Sequence, residues 1–132
     1  MNVIKLLEKT KKSAEKSYSP YSNFRVGASV LTIEGKIFSG ANVENRSYGA
    51  SICAERVAIT KAVSEGYKKF KTICIVGLDS TELLPPCGVC RQFISEFGSN
   101  IEVIMANKSL EYKIVNIKEL LPYDSLFKLK EK

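Results

Sequence analysis

Residues 73–76, Ile-Cys-Ile-Val, form an unbroken apolar run inside the segment 71–79. Side chains alternate between the two faces of a strand. A strand that is apolar at every position is therefore one covered on both sides, and the fold must supply a layer above and below it. The flanking sequence provides both. Val3, Leu6, Leu7, Thr10 and Ala14 recur at helical spacing over about residues 2–17, and Ser19, Pro20 and Ser22 mark the end of that helix. Residues 25–33 alternate through Val26, Ala28 and Val30. They turn at Glu34-Gly35-Lys36 into a second strand, 36–43, which makes a β-hairpin. Residues 51–65 are strong helix formers that stop at Gly66, a good C-terminal cap. After Pro85-Pro86 a helix is expected over 88–97, strands over 101–106 and 112–115, and a short helix over 118–121. The order α-β-β-α-β-α-β-β-α predicts a three-layer α/β/α sandwich with a mixed central sheet, one domain over residues 1–132.

The apolar run is far shorter than the ~20 residues of a spanning helix. The first sixteen residues are charged every few positions and lack the apolar core of a signal peptide. We therefore expect a cytoplasmic protein without membrane contact, whose thiols stay reduced. The net charge of +6 is concentrated in residues 1–16, 61–71 and 128–132. Basic helix faces and a basic tail without interleaved aromatic residues read as solvated surface, so no nucleic-acid partner is expected.

Histidine is absent. That excludes a Ser-His-Asp triad, a Cys-His pair and every imidazole-bound metal. Cysteine takes over. Cys53 lies at the start of the 51–65 helix, and Cys87-Gly88-Val89-Cys90 at the start of the next. Helix N-termini carry free N–H groups and partial positive charge, which favour thiolates. Three such sulfurs meeting at one point would hold a zinc ion and leave its fourth position open, the pattern of a catalytic site. Two other readings stand beside it. Cys74 could close a structural four-cysteine site of the kind found in nucleic-acid-binding zinc modules, although it sits in an apolar strand. Cys87 and Cys90 could form a redox pair, which leaves Cys53 idle. Glu55, two residues after Cys53, is placed for acid/base work if the site lies in front of the helix; otherwise it complements the helix dipole.

Cys53-Ala54-Glu55 followed by Pro86-Cys87-x-x-Cys90 is the zinc deaminase signature. The segments Tyr18-Ser19-Pro20-Tyr21-Ser22-Asn23-Phe24-Arg25-Val26-Gly27-Ala28, Asn42-Val43-Glu44-Asn45 and Cys53-Ala54-Glu55-Arg56 closely resemble the small homotetrameric cytidine deaminases. The resemblance runs from about residue 10 to Pro122. It implies hydrolytic deamination of cytidine and 2′-deoxycytidine in pyrimidine salvage, with a blasticidin-S-type deaminase as the nearest alternative. It also implies one zinc per chain on Cys53, Cys87 and Cys90, with Glu55 as proton shuttle. Phe24, Asn42, Glu44 and Ala54 would contact the nucleoside, and Tyr48 would act across a subunit boundary in a homotetramer. Three thiolates leave zinc with excess negative charge; by the resemblance, Arg56 withdraws some of it through hydrogen bonds to the sulfurs. Relatives place a stacking Phe where this chain has Ser125, and Tyr123 or Phe127 could take its place.

Overall fold

The computed structural model describes residues 2–124. Ser125 and Phe127 lie outside the described residues. Helix α1, Val3–Ala14, is followed by strands β1, Val26–Thr32, and β2, Ile37–Ala41. Helix α2, Ala54–Ser64, leads into β3, Phe70–Gly77, and then α3, Gly88–Ser95. Strands β4, Glu102–Ala106, and β5, Tyr112–Asn116, precede the short α4, Ile117–Leu120. The sheet order is β2-β1-β3-β4-β5, antiparallel throughout except for the parallel β3–β4 pair. The expected mixed sheet is present, with β3 at its centre.

The two-sided burial inferred for residues 73–76 is visible side chain by side chain. Ile73 and Ile75 enter the core shared with α2 and α3, together with Ala28, Val30 and Val103. Cys74 and Val76 enter the opposite core, under Leu6 and Leu7 of α1. Both faces of β3 are thus dry, which is the condition that makes an all-apolar strand stable.

Close packing sets the helix positions. Asn2 caps α1 by accepting the N–H of Ile4 at 2.9 Å. A methyl group on Gly27 would collide with the Thr10 carbonyl oxygen and the Ala14 nitrogen, so α1 rests directly on the β1 backbone. On the other side, Ala54, Ala58 and Ala62 form a fully buried stripe of small residues. They let α2 press onto β1 and β2, where Gly40 lies beneath Val57 and Ala58.

Two helix boundaries differ most from expectation. Helix α1 stops at Ala14, because the N–H of Tyr18 pairs with the Asn42 carbonyl and draws the chain away. Helix α2 starts at Ala54 instead of residue 51. Ile52 exchanges two backbone hydrogen bonds with Val43, which keeps the preceding residues extended. A single 3-10 turn, Tyr48–Ala50, occupies the approach to α2.

Candidate active site

Helix α2 is joined to β3 by the short segment 65–69 and runs back along it, so its N-terminus lies at the carboxyl end of β3. Helix α3 starts from that same end. Cys53 immediately precedes α2 and Cys87 immediately precedes α3, both with extended backbones, and neither side chain caps its helix. Cys90 lies in the first turn of α3, fully buried. The Sγ atoms of Cys53 and Cys87 are 3.8 Å apart, and all three sulfurs lie within 4.8 Å of one another. Zinc–sulfur bonds of ~2.3 Å in a tetrahedron place sulfurs about 3.8 Å apart, so the donor type and spacing fit zinc with one position open. Cys74 faces α1 across the sheet and cannot close that position.

The charges around the sulfurs are linked. The hydrogen bond from Cys90, opposed by burial and assisted by Arg56 and Cys87, pulls the Cys53 thiol down to about 5. Cys90 moves the opposite way, because it supplies that hydrogen bond, is buried and faces the negative charges of Glu55 and Cys53. Arg56 Nη2 donates to the Ser51 carbonyl at 3.4 Å and to Cys53 Sγ at 3.7 Å. Glu55 is only 4% exposed. Burial pushes its carboxyl up to about 7, with the Cys53 charge adding and its own backbone N–H and Cys90 working against the rise.

A cavity of about 170 Å³ opens onto this group. Of the residues singled out in the sequence, Phe24, Asn42, Cys53, Ala54, Glu55 and Cys87 line it. Val26, Leu84 and Pro85 complete the wall. They carry no chemical signature; Val26 is legible only as a strand residue within the segment 18–28, and Leu84 and Pro85 only because 83–86, Leu-Leu-Pro-Pro, abuts Cys87. Asn42 organises one side of the cavity. Its Oδ1 accepts the Val26 N–H at 3.0 Å and the Ser17 hydroxyl, while its Nδ2 donates to the Phe24 carbonyl at 2.9 Å. One amide hydrogen is left for a ligand.

Glu44 and Tyr48 are elsewhere. They line a second concavity of about 380 Å³ with Tyr21, Ser22, Asn45 and Ser51. The Glu44 carboxylate accepts the N–H groups of Tyr21 at 3.1 Å and Ser22 at 3.2 Å and the Ser22 hydroxyl. The hydroxyl above all holds it below the usual carboxylate range. Tyr48 is 81% exposed, and Tyr123 is also fully open to solvent.

An α/β/α sandwich with three thiols at two helix starts, a buried carboxylate beside them and a small-molecule cavity in front defines a zinc-dependent hydrolase. Residues 2–106 match the model of the cytidine and deoxycytidylate deaminase zinc-binding region, and the chain belongs to that family. It is 53% identical over 100 residues to a probable cytidine deaminase of Dictyostelium discoideum, covering 76% of this chain and 67% of the relative. Over 123 residues it is 42% identical to the cytidine deaminase of Sporosarcina psychrophila, covering 92% and 90%. A crystal structure of cytidine deaminase from Burkholderia pseudomallei superposes with a TM-score of 0.89 at 42% identity, covering 93% of this chain and 98% of that one.

Proposed function

We propose that the protein hydrolyses cytidine and 2′-deoxycytidine to uridine and 2′-deoxyuridine, releasing ammonia. The observation that carries this reading is the single cavity that brings Glu55, Cys53 and Cys87 together with Phe24 and Asn42. Cys53, Cys87 and Cys90 hold one zinc ion. When bound, zinc supplies the activation that makes water a nucleophile at neutral pH. Glu55 carries two protons in turn: it takes one from the attacking water and gives it to N3 of the ring, then takes the second from the hydroxyl now on C4 and gives it to the departing amino group as C4=O forms. Histidine is required at no step.

The apolar face of Phe24 and the backbone of Ala54 bind the base, and the remaining N–H of Asn42 binds a ribose hydroxyl. Glu44 supplies a second ribose contact from the neighbouring concavity, and exposed Tyr48 completes the site of an adjacent copy in a homotetramer. Cavity size favours a free nucleoside over a strand of nucleic acid. Among the described residues no helix is long and apolar enough to cross a membrane. A cytoplasmic place in pyrimidine salvage accords with the substrates and the reduced thiols.

The test is a substrate panel followed by ultraviolet absorbance, with zinc content measured on the same preparation. Cytidine and deoxycytidine should be converted, and cytidine monophosphate and blasticidin S spared. Preferential turnover of blasticidin S would move the assignment to that relative's chemistry, and zinc without any turnover would indicate a structural module. Light scattering should give the mass of four chains.

A further inference from the structure

We infer that Arg25 and Asp79 are a positioning pair that sets the width of the cavity, an inference that rests on the nucleoside reading of that cavity. Arg25 stands between Phe24 and Val26, which line one wall. Asp79 lies near the start of the loop 78–87, which carries Leu84, Pro85 and Cys87 to the same cavity. The two residues are joined three times. Arg25 Nη2 donates to Asp79 Oδ1 at 2.6 Å, Arg25 Nε to Oδ2 at 3.1 Å and the Arg25 backbone N–H to Oδ2 at 2.8 Å. The Leu78 N–H adds a bond to the Arg25 carbonyl at 3.0 Å.

The rest of the loop is fastened away from the Phe24 wall. Ser80 accepts the Lys108 N–H at 2.9 Å, Thr81 accepts from Asn107 Nδ2 at 2.9 Å, and Pro86 accepts from Arg91 Nε at 2.9 Å. Arg25 and Asp79 therefore tie the start of the loop to the segment that carries Phe24, just beyond the last β1–β3 pair, Val26 with Gly77. An ion pair this exposed adds little to global stability. Its forked geometry instead fixes distance and orientation, which a lysine at position 25 could not reproduce.

The experiment compares Arg25→Ala, Arg25→Lys, Asp79→Asn and the Ala/Asn double variant with the wild type, each loaded with zinc. Asp79→Asn retains an oxygen for the Arg25 backbone N–H and loses the charge together with the acceptor for Arg25 Nη2. Each of Arg25→Ala and Asp79→Asn should raise KM for cytidine by about two- to fivefold, the range expected of one exposed pair. Turnover number, zinc content and melting temperature should hold. The double variant should be no worse than the more affected single variant, and Arg25→Lys should fall between wild type and Arg25→Ala. Unchanged KM, or effects that multiply in the double variant, would overturn the pairing while wild-type turnover still upheld the nucleoside reading. A wild-type protein that left cytidine untouched would remove that reading, and this inference with it.

Discussion

Arg56 extends from the first turn of α2 to within 3.7 Å of the Cys53 sulfur, and its Nε is buried without a hydrogen-bond partner. A guanidinium is costly to bury unless it faces negative charge. Three zinc-bound thiolates would provide that charge, and Arg56 would in turn draw electron density from them. Arg56→Ala should therefore lower zinc retention or turnover by about 10- to 100-fold, the usual weight of a group that supports metal ligands. Competition with a chromophoric chelator, read beside the rate, checks it. Unchanged values for both would reduce Arg56 to a helix-surface residue.

The four thiols should separate into two and two, because Cys90 and Cys74 are buried while Cys87 is exposed and Cys53 half-buried. Cys74 is fully buried, and burial pushes its thiol up to about 11. Thiolate is the reactive form. After chelator treatment, a thiol reagent should label Cys53 and Cys87 in the folded chain and leave buried Cys74 and Cys90 untouched; zinc should protect the first two. Mass spectrometry of the labelled peptides gives the answer, and early labelling of Cys74 would contradict its place under α1.

Much of this arrangement is legible in the sequence because it depends on alternation and caps. The run 73–76 predicts two dry faces, and Cys53 and Cys87 mark helix starts by the residues that follow them. What sequence cannot show is set by contacts between distant segments. The start of α2 is displaced because Ile52 pairs with Val43. The Glu44 carboxylate is fixed by the N–H groups of Tyr21 and Ser22, contacts that no spacing in the sequence announces. Val26, at the start of β1, and Leu84 and Pro85, in the loop after β3, meet at the cavity only through the tertiary fold, and apolar side chains announce no chemistry.

Packing makes its own prediction. A methyl group at Gly27 meets backbone atoms of α1, which cannot rotate away. Gly27→Ala should destabilise the protein by about 1–3 kcal/mol through overpacking. Chemical denaturation would measure this, and a neutral result would mean that α1 is free to shift.

Glu44 links stability to pH. Its carboxyl is held below the ordinary range when folded, chiefly by the Ser22 hydroxyl. The folded state therefore binds that proton more weakly than the unfolded state. Its contribution is present at neutral pH, begins to fade as pH falls through the ordinary carboxylate range and is gone below the lowered value. Glu44→Gln should make the urea midpoint less sensitive to acid than in the wild type. An identical acid dependence in the two proteins would show that those hydrogen bonds carry no weight.

The central claim is that three cysteines hold zinc while Glu55, buried beside them, moves the proton. Glu55→Gln keeps the shape of the side chain and every sulfur. Zinc content and cytidine turnover, measured on one preparation of this variant, test the claim most directly. One zinc per chain with turnover reduced at least about 100-fold is the predicted result. Turnover close to wild type would contradict it and leave Glu55 as a residue that only complements the start of α2.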